Sequence, residues 1–186
     1  MQRCEWVSDN PLMQAYHDRE WGRPQHDDQK LFELLCLETY QAGLSWQTVL
    51  NKRAAFEDDF YHYDIAQVAA MTEADVDRLL GDARIIRHRQ KLMATINNAQ
   101  VLQNWPAGST FSDWLWAFVD NQPIRQAWSH AAEMPATNDL AKQVSKALKK
   151  MGFKFVGPTT IYSFLQGAGL INDHQWDCDF APENQG

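Results

Sequence analysis

The apolar positions of this chain recur with a helical period, and the residues between the periodic runs are helix caps and breakers. In 28–40, Leu31, Leu34 and Leu35 form one stripe, with Glu38 next on the same face. In 138–151, Leu140, Val144, Ala147, Leu148 and Met151 share a face, and Gly152 stands where a C-terminal cap is needed. Asn10-Pro11 puts a capping side chain before a helix-starting proline, for a helix running to about Trp21. Gly43 breaks the helix begun at Asp28, and Ser45 caps the next, Trp46 to about Phe56. Asp64 caps a short helix ending near Met71, and Thr72 with Asp75 has the form of a capping box. A long helix is predicted from Arg87 to Trp105, stopped by Pro106. Phe111 to Val119 reads as buried helix, and Pro158 opens a last helix to about Gln166. With no period-2 run and no internal repeat, the fold class is all-α.

The 186 residues suit a single unit, divisible into two helical lobes: about 30–135, and 1–29 with 136–186. No apolar run approaches the ~20 residues of a membrane span. The first residues, MQRCEWVSDN, lack the apolar stretch of a signal peptide. A cytoplasmic monomer without a membrane partner is the expectation. A net charge of −7 weighs against nucleic acid as partner, but clustering matters more than the sum. Arg84, Arg87, Arg89 and Lys91 form one basic group, and Lys142, Lys146, Lys149, Lys150 and Lys154 another. The acids concentrate in Glu57-Asp58-Asp59 and between Thr72 and Asp82.

Three cysteines, an odd count, argue against a disulfide framework. Cys36, inside Leu34–Leu37, reads as a core thiol. Cys4 and His17 lie near one end, and His174-x3-Cys178 near the other. Two thiolates and two imidazoles make a closed tetrahedral set of the kind that holds structural zinc and would tie the termini together. The spacing alone leaves open that the two pairs never meet. His26, His62, His88 and His130 read as solvated or hydrogen-bonded.

The segment 145–160 suggests helix, short turn, helix. Gly157 permits close approach of a ligand to the backbone. Pro158 starts a helix whose free N–H groups can face a phosphate, with Lys154 nearby and Thr159 and Thr160 as hydroxyl donors. That arrangement suits DNA gripped through its backbone; the plainer alternative is an ordinary connection with a solvated lysine face. Eight tryptophans are heavy use, and Trp6, Tyr16, Trp21 and Trp46 crowd the N-terminal quarter around Glu38. A carboxylate buried there without a partner is costly. Either a donor meets it, or it angles to solvent at the helix end, or it waits for a cationic or proton-donating ligand. Indoles with one carboxylate suit a flat, electron-poor base.

Arg3-Cys4-Glu5-Trp6, Tyr16-His17-Asp18-Arg19-Glu20-Trp21-Gly22, Glu38 through Trp46 (ETYQAGLSW), Gly152 through Thr159 (GFKFVGPT) and Asn172-Asp173-His174 together resemble the 3-methyladenine DNA glycosylase I family, over essentially the whole chain. The resemblance implies a helix-hairpin-helix glycosylase fold and structural zinc on Cys4, His17, His174 and Cys178. It implies a base pocket at Trp6, Tyr16, Glu38 and Trp46, lined also by Ser163. The loop Gln41 to Leu44, turning at Gly43, is the implied plug of the duplex: Leu44 wedges into the stack and Gln41 faces the lesion. The implied reaction is monofunctional base-excision repair on double-stranded alkylated DNA, releasing 3-methyladenine and leaving an abasic site. Glu38 then recognises the base rather than acting as a strong general base. No lysine lies between Glu38 and Trp46 to form a Schiff base, which favours hydrolysis over strand cleavage. Asp173, beside a proposed metal ligand, is given no catalytic role. Two departures stand out: Met13 replaces an aromatic seen in some relatives, and Cys178 alone represents a cysteine-rich end. Two other classes compete. A noncatalytic zinc-stabilised DNA-binding module leaves Glu38 unexplained. An enzyme using zinc on small molecules needs an open coordination position, which four protein ligands close.

Overall fold

A computed structural model describes residues 1–184. Its helices begin where the sequence offers acceptors for their first free amides. Asn10 accepts from the Leu12 and Met13 amides at the start of α1 (Pro11–Arg19). Asp27 caps α2 (Asp28–Gln41) and Ser45 caps α3 (Trp46–Asp59). Asp64 caps α4 (Ile65–Ala69), and the Thr72–Asp75 box opens α5 (Glu73–Leu80). His88 caps α6 (Arg89–Gln103), a Thr110–Asp113 box opens α7 (Phe111–Trp116), and Asn138 caps α8 (Asp139–Lys150). Gly157-Pro158 opens α9 (Pro158–Gly167). Among the described residues no helix is long and apolar enough to cross a membrane.

Several boundaries differ from the sequence reading. α1 stops at Arg19, because the amides of Glu20 and Trp21 both turn back to the Tyr16 carbonyl, at 2.9 and 3.0 Å. α3 continues past Phe56 to Asp59, since Phe56 and Phe60 lie one turn apart and are both fully buried. α6 begins two residues later than Arg87 because His88 is its cap, and it ends before Trp105. The expected helix 111–119 splits into α7 and a 3-10 turn, Ala117–Val119, closed by Asp120 in the left-handed region (φ 51°). A small parallel pair also forms, β1 (Ile124–Arg125) with β2 (Ile171–Asn172), Ile124 opposite Ile171. Two residues per strand are too few for an alternating pattern to register.

The largest surprise is α2. Every residue from Leu31 to Tyr40 is buried, because α3, α6, α7 and α9 all pack on this helix. A helix enclosed on all sides takes its acids inside with it. Glu33 is met by Arg53 of α3 at 2.7 Å and by Lys30 at 2.9 Å; Glu38, one turn further on, is treated differently, as described below.

α8 and α9 pack together, joined by the short turn that the sequence suggested. The turn between them begins with Gly152 at φ +99°, where the Phe153 amide returns to the Leu148 carbonyl and the Gly152 amide to Lys149, both at 3.1 Å. The two chain ends meet: the Gln2 amide donates to Asp179 at 2.8 Å and the Asp179 amide to the Gln2 carbonyl at 3.0 Å.

Candidate active site and metal cluster

Burial of α2 leaves Glu38 5% exposed, with its Oε2 atom buried and unpartnered. Burial alone pushes its carboxyl up to about 8. Glu38 lines a cavity of about 300 Å³ together with Trp6, Tyr16 and Trp21 from the N-terminal segment and Trp46 from α3. Trp6 and Trp21 meet edge to face at 5.0 Å between centroids, and Tyr16 and Trp46 are tilted at 5.1 Å. The indole Nε1 atoms of Trp6 and Trp46 are buried without partners as well. The cavity therefore combines apolar ring faces, two unused donors and one unused acid.

α9 supplies another part of the lining. Thr159, Tyr162, Ser163 and Gln166 recur at helical spacing and all border the cavity. The sequence reading selected Thr159 and Ser163 but missed Tyr162 and Gln166, although the spacing was there to be seen. Ala131 and the run Met134-Pro135-Ala136 close a further stretch, and nothing in their sequence marked them. Gly167 is needed here: a Cβ would lie 2.9 Å from the Tyr16 hydroxyl. Met13 packs in the core and is absent from the lining.

Glu38 also borders a second hollow of about 250 Å³, shared with Gln41, Gly43, Leu44, Thr159 and Ser163. There the chain turns at Gly43 (φ +81°), and Leu44 stands 42% exposed. The structure thus brings Trp6, Tyr16, Glu38, Gln41, Gly43, Leu44, Trp46, Thr159 and Ser163 to one region. Lys154 and Gly157 line neither hollow; both lie on the hairpin turn, Lys154 exposed. A Cβ on Gly157 would meet nothing within 4 Å, so the protein's own packing does not demand glycine there.

The basic group 84–91 does not present one uniform charged face, although Arg87 is exposed. Arg84 is tied to Asp82 at 2.8 Å, Arg89 is paired with Asp77, and Lys91 is buried. Lys142 pairs with Asp139, while Lys146, Lys149, Lys150 and Lys154 remain exposed on and beside α8.

Where the chain ends meet, the donor atoms of Cys4, His17 and Cys178 lie within 4.8 Å of one another, all buried. His174 stands beside this group without being part of it: its ring centroid is 4.9 Å from that of His17, and its Nε2 is buried and unpartnered. Each imidazole has its Nδ1 engaged by a side-chain oxygen, His17 by Asp18 at 2.8 Å and His174 by Asn172 at 3.0 Å. That leaves Nε2 on the inner side of both rings, 3.6 Å from Cys178 Sγ in His17 and without a partner in His174, the arrangement of metal-binding histidines. Gly22 (φ +72°) admits the His174 ring, since a Cβ would fall 2.8 Å from its Cε1. Donor types, orphaned nitrogen and oriented rings all fit a metal ion. Of the other histidines, His26 stacks on Trp116, His88 caps α6, His130 pairs with Glu5 at 3.0 Å, and His62 is exposed.

Asp173 is fully buried and accepts from the Tyr162 hydroxyl at 2.5 Å, from Gln166 Nε2 at 2.7 Å and from Trp128 Nε1 at 3.0 Å. Two of those donors line the cavity, so this carboxylate fixes part of its wall.

Comparison with known proteins agrees across the chain. The family model described as methyladenine glycosylase matches residues 6–182. DNA-3-methyladenine glycosylase 1 of Escherichia coli (strain K12) is 51% identical over 186 residues, covering all of both chains. DNA-3-methyladenine glycosylase of Haemophilus influenzae is 45% identical over 177 residues, 95% of this chain and 96% of its own. A solved structure of 3-methyladenine DNA glycosylase I from Staphylococcus aureus, described as the structural basis of 3-methyladenine recognition, superposes with a TM-score of 0.92 at 43% identity, covering 98% of this chain and 97% of that one. With the family model matching nearly end to end and relatives this similar over their full lengths, the chain belongs to the methyladenine glycosylase family.

Proposed function

We propose that this protein is a monofunctional DNA repair glycosylase that hydrolyses the N-glycosidic bond of 3-methyladenine in alkylated duplex DNA. The observation that carries the reading is the buried, unpartnered Glu38 carboxyl among aromatic rings, at a hollow that also borders an exposed loop leucine. Methylation at N3 gives the nucleotide a positive charge and weakens its glycosidic bond, so the enzyme has less to supply than for a normal base.

The base, extruded from the stack, enters the cavity and lies against Tyr16 and Trp46, with Trp6 beside it. Glu38 accepts hydrogen bonds from the exocyclic amine or a ring nitrogen. An incoming cation favours its carboxylate form over the neutral acid that burial favours in the empty cavity. The C1′–N9 bond breaks with its electron pair going to the base, which leaves neutral. Water adds at C1′ and loses a proton, leaving an abasic site. Ser163 belongs to the rim of this pocket. Leu44, at the turn made by Gly43, fills the vacated stack, and Gln41 faces the lesion. Backbone amides at Gly157 and Thr159, with Lys154, grip the phosphates through the helix-hairpin-helix element.

Cys4, His17, His174 and Cys178 would hold one structural zinc ion; a closed sulfur–nitrogen shell supplies cross-linking of the termini rather than chemistry. Incubating the protein with methylated duplex DNA tests the reading. Free 3-methyladenine should appear by chromatography, with strands intact until alkali is added. Absence of released base overturns it.

A further inference from the structure

Lys91, Thr95 and Asn98 occupy one face of α6 at i, i+4 and i+7, and all three are buried. A buried polar stripe is costly unless every member finds a partner. Here the partners belong to other elements. Lys91 Nζ donates to the carbonyls of Tyr40 at 2.9 Å and Ala42 at 2.6 Å, at the C-terminal end of α2. A cation there also complements the helix dipole. Thr95 Oγ1 lies 2.8 Å from the Tyr40 hydroxyl. Asn98 accepts from the Lys154 amide at 2.8 Å and donates to the Lys154 carbonyl at 3.1 Å, while neighbouring Asn97 donates to the Gly152 carbonyl at 2.9 Å. This two-point hold on Lys154 sits directly before Phe155, whose φ of 57° is a region non-glycine residues occupy only under constraint.

The two ends of the stripe therefore hold two separate stretches of chain: the start of the 41–44 loop and the 152–157 turn. Neither Lys91 nor Asn98 borders the Glu38 cavity. We propose that α6 is a spacer bar whose Lys91 and Asn98 are positioning residues, fixing the Leu44 loop and the hairpin turn at the separation and tilt needed to engage one duplex together. The inference rests on the assignment of those two segments to DNA.

The test uses the full-length protein and three measurements: binding of free 3-methyladenine, affinity for a duplex bearing an abasic-site analogue, and single-turnover excision at saturating enzyme. Asn98→Ala should weaken duplex affinity by about tenfold while the saturating rate changes by less than about threefold. Lys91→Met should lower the saturating rate by about tenfold with a smaller change in duplex affinity, and Lys91→Arg should recover most of it. Both should bind free base within about twofold of wild type. Should Asn98→Ala fail to fold, Asn98→Ser, which keeps an acceptor for the Lys154 amide, takes its place. The proposal is overturned if free-base binding falls in step with excision, or if duplex affinity and rate both stay at wild-type values. Failure of wild-type protein to release base would instead overturn the glycosylase reading itself.

Discussion

Asp173 and Glu38 are both buried carboxylates, one just beyond β2 and the other in the last turn of α2. Asp173 accepts three hydrogen bonds at 2.5–3.0 Å, two of them from side chains that line the cavity. Glu38 lines the cavity itself, and its Oε2 accepts none. Desolvation acts on both, so the contrast lies in what answers it. Around Asp173 the protein supplies every donor, and the carboxylate becomes a strut that holds Tyr162 and Gln166 in place. At Glu38 the protein supplies none, and the acid is stabilised in its neutral form until something positive or proton-donating arrives. One region is built to stay as it is; the other is left incomplete on purpose of binding.

The largest expected effect comes from removing the incomplete acid. Glu38→Ala should reduce excision by about 10²–10³-fold, on the order of 3–4 kcal/mol of transition-state stabilisation, while circular dichroism and metal content stay unchanged. Retained excision would erase the functional half of the contrast. Next comes the proposed metal site, where His174 directly follows Asp173 in the chain. Cys4→Ala should take zinc from about one per chain to none by elemental analysis and lower Tm by roughly 10 °C; unchanged metal content would rule out the clamp. Removing the satisfied acid should be milder for chemistry and plain in stability. Asp173→Ala leaves three donors facing a void, those of Tyr162 and Gln166 buried, a loss of roughly 2–3 kcal/mol, read as a lower denaturation midpoint. Catalysis should fall only as far as the wall formed by Tyr162 and Gln166 loosens. A greater loss of rate from Asp173→Ala than from Glu38→Ala would reverse the assignment of roles.

Much of this contrast could be read from residue order, and the part that could not has a physical reason. Caps at Asn10, Ser45, Asp64 and Asn138 act within one helical turn, so local sequence suffices to find them. Glu38 was visible because a carboxylate in phase with Leu31, Leu34 and Leu35 contradicts the stripe it extends. Lys91 was grouped only with its basic neighbours, because its burial depends on α2 ending beside it, which nothing near it in the chain reveals. Asp173 looked idle for the same cause, since its donors stand 7, 11 and 45 residues away. The thiols and imidazoles were recognisable at each end, but the meeting of Cys4, His17 and Cys178 is a tertiary fact. α2 looked amphipathic and proved enclosed, because stripe width reports one packing partner where several are present.

The smallest single step, about 1 kcal/mol per pH unit, is read at Glu38 by changing pH alone. Burial raises Glu38 in the folded protein to about 8, against an ordinary value of 4.5. Between those two values the folded state holds a proton that the unfolded chain has released, so stability falls as pH rises. The contribution is complete below about 4.5, declines through neutrality, and is gone above about 8. Within that window the slope approaches ~1.4 kcal/mol per pH unit, so unfolding free energy should drop by roughly 1 kcal/mol between pH 6 and 7. Glu38→Gln keeps the shape and the neutral charge but has no proton to lose. The difference in denaturation midpoint between wild type and Glu38→Gln should therefore widen steadily from pH 5 to 8 in favour of the variant and stay flat above that. Saturating free 3-methyladenine should shrink the gap, because a bound base supplies the donors that the empty cavity lacks. A gap independent of pH would mean that Glu38 is already ionised and satisfied in the folded protein, which would make it a second strut like Asp173.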